Sequence, residues 1–295
     1  MRMLQYCPAC GQNASFRFYA RGNIHPDELS PEDMRITDHQ YGKRWDLIRC
    51  TFCGFLTAYP RPSPETIIRL YRSMEDPAYD AEAPHRRRNF LRILQYVEKH
   101  LQVSPGRLLD IGAASGLLLQ CARERGWDVY GIEPSTHLAA RAQARGLPVE
   151  CTTLEDWDGP SHAFDCITII DVIEHVLDPE SFLKKARLHL RPGGVMCIVT
   201  PDGRSMAARL LGRYWWHYRP AHLHFFNFQS LSLLIRRLGG TVIARRRYRW
   251  HFSIDYLVSR LHRGQPVQWI PEKIRRWAVP VNLFDSMEMY ARWNT

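Results

Sequence analysis

The sequence of 295 residues contains no apolar run near the ~20 residues that a helix needs to span a bilayer. Residues 1–7 lack the apolar segment of a secretory signal peptide, and the chain has neither internal repeats nor low-complexity tracts. Its content of 45% hydrophobic and 24% charged residues is ordinary for a globular protein, which excludes global disorder. We therefore expect a cytoplasmic, folded chain.

Four of the eight cysteines form two Cys-x-x-Cys pairs, each followed by glycine: Cys7 with Cys10, and Cys50 with Cys53. In a cytoplasmic chain, cysteines indicate thiols or metal ligands rather than disulfides. Four thiolates at this spacing match a tetrahedral structural zinc site, whereas a redox dithiol would need only one pair. The pattern predicts a zinc-ribbon module over residues 1–60.

The positive charge of the chain is concentrated in its last third. Residues 201–295 hold 16 Lys and Arg against 5 Asp and Glu, a net charge of +11, whereas residues 1–200 carry −1. Basic and aromatic residues are interleaved in this third, a pattern that suits an anionic membrane surface, a protein partner or stacking on nucleic-acid bases. A solvated basic face would explain the excess equally well.

Strand and helix patterns alternate from residue 105 onward. The predicted strands are 107–111, 127–132, 148–151, 164–170 and 195–199, and the helices between them are 116–125, 135–145 and 179–190. This alternation predicts an α/β fold with a doubly wound parallel sheet over 105–295. Helices at 65–74 and 84–101 would form a linker or lid over 61–104. A basic aromatic insertion at about 203–278 would precede a final strand within 279–291.

The first predicted strand ends in Asp110 and leads into a Gly-x-x-x-Gly turn that opens a helix. Gly112 and Gly116 lack a Cβ, so the backbone can approach a ligand, and the N–H groups at the helix start can face a carboxylate. Glu133 ends the next strand, where its carboxylate can accept both hydroxyls of a ribose. The turn departs from the phosphate-binding Gly-x-Gly-x-x-Gly pattern, and an acid beside it suits a cationic sulfonium better than a pyrophosphate.

This series of motifs resembles the class I methyltransferases that use S-adenosylmethionine (SAM), and the segments 164–176 and 190–195 resemble their later motifs. With the cysteine pairs, the chain is similar to a bacterial branch of these enzymes that carries an N-terminal four-cysteine zinc module. The resemblance implies a Rossmann-like fold and a SAM site. Its implied cofactor contacts are Asp110, Gly112, Ala113, Gly116, Glu133, Pro134, Leu154, Glu155 and Asp171.

Asp171, Glu174 and His175 follow the fourth predicted strand, at the sheet edge where open α/β sheets bind ligands. This Asp-x-x-Glu-His resembles the Glu-x-x-Glu-His of the ubiquinone-pathway O-methyltransferases, where the motif is linked to a divalent metal and catalysis. One hypothesis places Mg²⁺ on Asp171 and Glu174, which would lower the pKa of an acceptor hydroxyl. A second makes His175 the general base, and a third makes Glu174 and His175 a buried pair that orders the loop. His222 or His217 could also serve as the base.

The sequence thus predicts methyl transfer from SAM to a small-molecule, sugar or lipid-linked acceptor, at oxygen. An anionic or membrane-held acceptor would use the insertion at the inner membrane surface. Two alternatives stay open, an RNA methyltransferase that uses the basic last third and a non-catalytic SAM-fold interaction protein. The lack of an Asn-Pro-Pro-Tyr-type signature argues against the first, and the intact Asp110, Gly112, Gly116 and Glu133 argue against the second.

Overall fold

The computed structural model describes residues 5–13, 16–24, 29–37, 42–76, 79–261 and 270–294. Its first elements are β1 (Phe16–Ala20), β2 (Leu47–Cys50), β3 (Leu56–Ala58), α1 (Pro64–Arg72) and α2 (Ala83–His100). The Ser63 side chain caps α1 by accepting a hydrogen bond from the backbone N–H of Thr66, and Pro64 occupies the first helical position. The two helices predicted after the first 60 residues are confirmed.

The central elements alternate as the sequence predicts. They are β4 (Arg107–Ile111), α3 (Leu117–Arg123), β5 (Asp128–Ile132), α4 (Thr136–Ala144), β6 (Val149–Glu150), β7 (Phe164–Ile170), α5 (Pro179–His189) and β8 (Leu190–Pro201). All neighbouring pairs among these strands are parallel. Most apolar side chains of β7 and β8 are buried, as expected for strands covered by helices on both faces. The predicted Rossmann-like α/β fold is confirmed.

The last third contributes further elements. They are α6 (Met206–Leu211), β9 (His224–Phe225), α7 (Phe228–Arg237), β10 (Thr241–Arg247), β11 (Trp250–Ser253), α8 (Ile254–Leu261), α9 (Glu272–Arg275), β12 (Ala278–Val281) and β13 (Ser286–Arg292). The seven-stranded sheet has the order β10-β13-β8-β7-β4-β5-β6, with β13 antiparallel to both of its neighbours. The edge strand β10 thus lies within the range predicted as an insertion.

Between β10 and β13, the described residues 248–261 and 270–285 lie outside the central sheet. Here β11 and β12 form a separate antiparallel hairpin, so the single final strand expected within 279–291 is divided in two. The sequence did not predict strand β10 because this segment is rich in arginine. In the structure its arginines form ion pairs with the neighbouring strand, such as Arg246 with Glu288. Helix α6 is followed by Gly212, whose φ is +49°.

The cysteine-bearing N-terminal segment is joined to the rest of the fold by a shared sheet. β3 pairs antiparallel with β9, which places Leu56 opposite Phe225 and Thr57 opposite His224. The four cysteines belong to the same buried cluster as Phe226, and the Asn227 side-chain amide donates a hydrogen bond to the Cys53 carbonyl at 3.0 Å. The segment therefore packs as part of the main body, and the domain bounds stay predictions.

Candidate functional site

The turn after β4 has the backbone that the glycine spacing requires. Gly112 and Gly116 both have φ of +80°, a region that side chains disfavour. The N–H groups of Gly112 and Ala113 both donate to the Ile132 carbonyl, at 2.9 and 3.0 Å, which joins the turn to β5. A Cβ on Gly112 would lie 2.5 Å from Cγ2 of Val172. The close approach of these two segments thus requires glycine.

Glu133, at the end of β5, is fixed by the same turn. One carboxylate oxygen accepts a hydrogen bond from the Ala114 N–H and the other from the Ser135 N–H, each at 2.8 Å. The residue is 5% exposed. Burial raises the pKa of Glu133 to about 7, against the lowering effect of the two backbone hydrogen bonds. The carboxylate is held in one orientation before any ligand arrives.

Two further carboxyls lie at or just after the ends of strands β4 and β7: Asp110 is buried, and Asp171 is partly buried. Asp110 accepts a hydrogen bond from the Thr168 hydroxyl at 2.6 Å, and burial raises its pKa to about 8. Asp171 has φ of +51°, and its Oδ1 finds no hydrogen-bond partner among the described residues. Burial raises the pKa of Asp171 to about 6, although His217 and two arginines oppose the shift. Raised pKa values of buried acids favour a positively charged ligand, which would restore the ionised forms.

A cavity of about 940 Å³ opens beside these acids, at the upper end of the range for ligand pockets. The predicted cofactor residues that line it are Asp110, Gly112, Ala113, Glu133, Pro134, Leu154, Glu155 and Asp171. Gly116 lies behind the turn, where a Cβ would meet Leu147 at 2.3 Å. Aromatic side chains also line the cavity. They come from α1, from the segment after α6, and from β11 and α8: Tyr71, Tyr214, Trp216, Trp250, Phe252 and Tyr256.

Glu174 and His175 take up structural contacts. The Glu174 carboxyl accepts a hydrogen bond from the Thr200 hydroxyl at 2.9 Å, and its main-chain carbonyl accepts two from the N–H groups of Leu223 and His224. Burial and the nearby Asp171 raise the pKa of Glu174 well above its usual range. His175 Nδ1 lies 2.9 Å from the Ala221 carbonyl, and burial lowers the pKa of this imidazole to about 4.

His222 lines the cavity beside His175, with ring centroids 4.7 Å apart. Burial, followed by the neighbouring His175 and His217, lowers the pKa of His222 well below its usual range. Among the described residues, the ligand atoms of Glu174, His175 and His222 lie within 4.8 Å of one another, and Asp171 stands outside this group. Mg²⁺ prefers oxygen ligands, so one carboxyl with two imidazoles does not fit the predicted Asp171–Glu174 magnesium site.

The four predicted zinc ligands converge. Cys7 Sγ lies 3.7 Å from Cys53 Sγ, and Cys10 Sγ lies 3.8 Å from Cys50 Sγ. A tetrahedron with Zn–S bonds of about 2.3 Å has sulfur–sulfur edges of about 3.8 Å. All four side chains are buried. The donor set and its spacing fit a tetrahedral four-thiolate metal.

The sequence analysis missed two residues, Tyr71 and Asp285, that line the cavity and pair with cavity histidines. The Tyr71 hydroxyl, on α1, lies 2.6 Å from His175 Nδ1. Asp285, just before β13, lies 3.3 Å from His217 Nε2. An acid at the start of the final sheet strand was a usable signal for Asp285, whereas Tyr71 had none because its role depends on how α1 packs.

Comparisons with known proteins indicate the family of this chain. Residues 83–245 match the family model described as a methyltransferase domain, Methyltransf_23. The "Ubiquinone biosynthesis O-methyltransferase" of Rhodopseudomonas palustris (strain HaA2) is 31% identical over 173 residues, which are 52% of this chain and 68% of the relative. The protein of that name from Cereibacter sphaeroides (strain ATCC 17025) is 34% identical over 153 residues, 48% of this chain and 62% of the relative.

The fold agrees with a solved methyltransferase structure. The Burkholderia thailandensis 1,6-didemethyltoxoflavin-N1-methyltransferase, with bound 1,6-didemethyltoxoflavin and S-adenosylhomocysteine (SAH), superposes with a TM-score of 0.52 at 18% identity. The match covers 83% of this chain and 98% of that protein. With the family match over more than half of the chain, the chain belongs to the methyltransferase domain family and is a class I SAM-dependent methyltransferase.

Proposed function

We propose that this enzyme transfers the methyl group of SAM to a hydroxyl oxygen of an apolar small molecule. The observation that carries the proposal is the cavity of about 940 Å³, which is lined both by carboxyls and by aromatic side chains. A cavity of this size can hold a second ligand beside SAM. The relatives named ubiquinone biosynthesis O-methyltransferase support oxygen as the methyl acceptor.

The residues of the turn would hold SAM. Glu133 presents an oriented carboxylate for the ribose, and Asp110 lies where a cationic ligand would stabilise its ionised form. Pro134, Leu154 and Glu155 also line the cavity, and they would contact the adenine of SAM. SAM supplies an activated methyl group, so the protein contributes mainly alignment of the two reactants and exclusion of water.

The contacts of Glu174 and His175 favour an ordering role for this pair over catalysis. Glu174 is fully buried, lies outside the cavity lining and ties β8 and the segment before β9 to the loop after β7. His175 shares its Nδ1 between a tyrosine hydroxyl and a backbone carbonyl. Direct catalysis by Asp171, His175 or His222 stays a prediction.

A lipid-linked acceptor suits the rim of the cavity. Leu211, Tyr214 and Leu283 line the cavity yet are 37%, 65% and 47% exposed. Four other apolar side chains of the last third are also exposed: Met206, Leu210, Trp277 and Phe284. Within the part of the chain that the structure describes, no helix has the length and apolar character to cross a membrane. The proposed contact between the enzyme and the membrane is peripheral. The exposed apolar side chains would enter the surface of an anionic bilayer, and neighbouring arginines would bind its head groups.

Vesicle sedimentation tests this contact. The enzyme should pellet with vesicles of phosphatidylglycerol and phosphatidylcholine more than with phosphatidylcholine alone. Leu210→Glu should weaken pelleting, because Leu210 is 79% exposed on α6. Leu188→Glu is the matched control, since Leu188 is 50% exposed on α5 and belongs to a different face. Equal binding of both variants and wild type would reject the membrane contact.

We also propose that the four cysteines bind a structural Zn²⁺. The support is their burial and their tetrahedral sulfur spacing. Such a metal would hold β2 and the turns after each cysteine pair in place. Metal analysis of the purified chain should find one zinc per chain.

The acceptor class is tested with tritiated-methyl SAM. The enzyme would be offered a catechol with a farnesyl tail, the same catechol without the tail, and total bacterial RNA. Label in the tailed catechol above the untailed one would support the proposal. Label restricted to RNA would overturn it in favour of the nucleic-acid alternative, and SAM binding with no transfer to any pool would favour the non-catalytic one.

A further inference from the structure

A second histidine–carboxylate pair faces the cavity, away from the Glu174–His175 pair. His217 Nε2 lies 3.3 Å from Asp285 Oδ2, and both residues line the cavity. The indole N–H of Trp215 donates to the same carboxylate oxygen at 3.3 Å. The two partners come from distant parts of the chain, one after α6 and one just before β13, so the pair exists only in the folded enzyme.

Asp285 is held in place by its backbone. Its carbonyl accepts a hydrogen bond from the Asp202 N–H at 2.7 Å. The preceding residue, Phe284, has φ of +57°, and its carbonyl accepts a hydrogen bond from Arg247, which also pairs with Asp202. Phe284 is 58% exposed, so its own side chain gains little from this strained conformation. Strain of this kind persists where surrounding contacts fix a functional group.

The pair is chemically distinct from the other histidines of the cavity. Burial alone would raise the pKa of Asp285, but hydrogen bonds from His217 and Trp215 bring it below its usual value. An ionised Asp285 can only accept, so His217 carries its proton on Nε2 and leaves Nδ1 as an acceptor. The carboxyl that pairs with His175 is that of Glu174, whose raised pKa favours the neutral acid.

His217 also lies close to the reacting end of the sheet. The imidazolium that His217 forms on taking up a proton would lower the pKa of Asp171, and the Asp285 carboxylate raises it, so the pair lies near Asp171, which follows β7 and lines the cavity. Among the described residues, the other charged or titratable groups near this pair include His222, whose ring stacks 6.0 Å from that of His217, together with Arg86 and Arg219. The carboxyl ends of parallel strands are where open α/β sheets carry out their chemistry.

We propose that His217 is the general base of methyl transfer and that Asp285 is its positioning residue. The inference rests on the proposed O-methyl transfer. His217 Nδ1 removes the proton of the acceptor hydroxyl, and the oxygen forms a bond to the methyl carbon of SAM. The methyl–sulfur bond breaks with its electron pair going to sulfur, which yields SAH and the methyl ether. The imidazolium is stabilised by Asp285 and then releases its proton to water.

The test compares His217→Gln, Asp285→Asn and the control His100→Gln, an exposed histidine at the end of α2. With the tailed catechol as the acceptor, His217→Gln should lower kcat about 10²- to 10⁴-fold, while SAH affinity and Tm stay near wild type. Asp285→Asn should lower kcat about ten- to hundredfold, since one charge-assisted hydrogen bond is lost. Added imidazole should restore part of the activity of His217→Ala, which a purely structural role would not allow. Retention of wild-type kcat within threefold by His217→Gln would overturn the proposal.

A second measurement is independent of the acceptor. Long-range ¹H–¹⁵N NMR of histidine-labelled enzyme should show His217 as the Nε2-protonated tautomer in the wild type. A proton on Nδ1 would overturn the pair. If the wild type fails to methylate the tailed catechol, the proposed acceptor class is wrong, and the NMR result still decides the state of His217.

Discussion

Replacement of Glu133 by glutamine tests the cofactor site most directly. Both carboxylate oxygens accept a backbone N–H at 2.8 Å, one from Ala114 and one from Ser135. An amide must turn its NH₂ group toward one of these donors, which leaves a buried N–H unpaired at a cost of about 1–3 kcal/mol. Loss of one charge-assisted hydrogen bond to the ligand adds about 1.5–3 kcal/mol to the binding free energy. Glu133→Gln should therefore weaken SAH binding about 10- to 150-fold.

Isothermal titration with SAH measures this loss, and Glu150→Gln is the matched control. Glu150 is exposed on the adjacent strand β6 and contacts Glu133 only through its main-chain carbonyl. The control should bind SAH as the wild type does. Binding of SAH by Glu133→Gln within threefold of wild type would refute the assignment of this carboxylate to the ligand.

The same variant should change how stability depends on pH. The folded-state pKa of Glu133 is raised to about 7, so its contribution is fully present below its unfolded-state pKa and is lost as pH rises through 7. Glutamine cannot ionise and lacks this decline. The difference in Tm between wild type and variant should therefore shrink between pH 5 and pH 8, and a constant difference would contradict the raised pKa.

Three further predictions address the turn, the acids and the cysteines. Because the pKa of Asp110 is raised to about 8, SAM affinity should rise between pH 6 and pH 8.5, and binding should release a proton. Calorimetry in buffers of different ionisation enthalpy measures both effects, and an affinity that does not change with pH would contradict the prediction. A Cβ on Gly112 would lie 2.5 Å from the Val172 side chain, so Gly112→Ala should lower the free energy of unfolding in urea by about 1–3 kcal/mol and abolish SAH binding. Adding Val172→Ala to this variant should restore part of the stability. Cys50→Ser should lose zinc by metal analysis, whereas the exposed Cys151→Ser should keep it.

The SAM turn could be predicted from the sequence because its signals are local. An apolar strand, an acid and two glycines four residues apart specify a strand, a tight turn and a helix without reference to the rest of the chain. The structure gives both glycines the positive φ that this pattern requires. The parallel strands were equally accessible, since each is a short apolar run bounded by turn residues.

The far side of the cavity could not be predicted, because it is assembled by contacts between distant segments. β10 is rich in arginine, and its place beside β13 depends on ion pairs that no local pattern shows. Asp285 and His217 are 68 positions apart and meet only because β13 returns to the sheet between β10 and β8. Residue spacing reveals helical faces and turns, but it carries no information on which loop a returning strand brings into the site.

The position of the cysteine segment gives the proposed zinc a consequence for the active site. β3 follows the second cysteine pair and pairs with β9, and the Ala58 N–H donates to the Leu223 carbonyl at 2.8 Å. The N–H groups of Leu223 and His224 in turn donate to the carbonyl of Glu174, in the loop that begins with Asp171. Backbone hydrogen bonds therefore link β3, which follows the turn that carries Cys50 and Cys53, to the loop at the carboxyl end of β7. A chain that has lost zinc should bind SAH with a lower affinity even though none of the four cysteines lines the cavity.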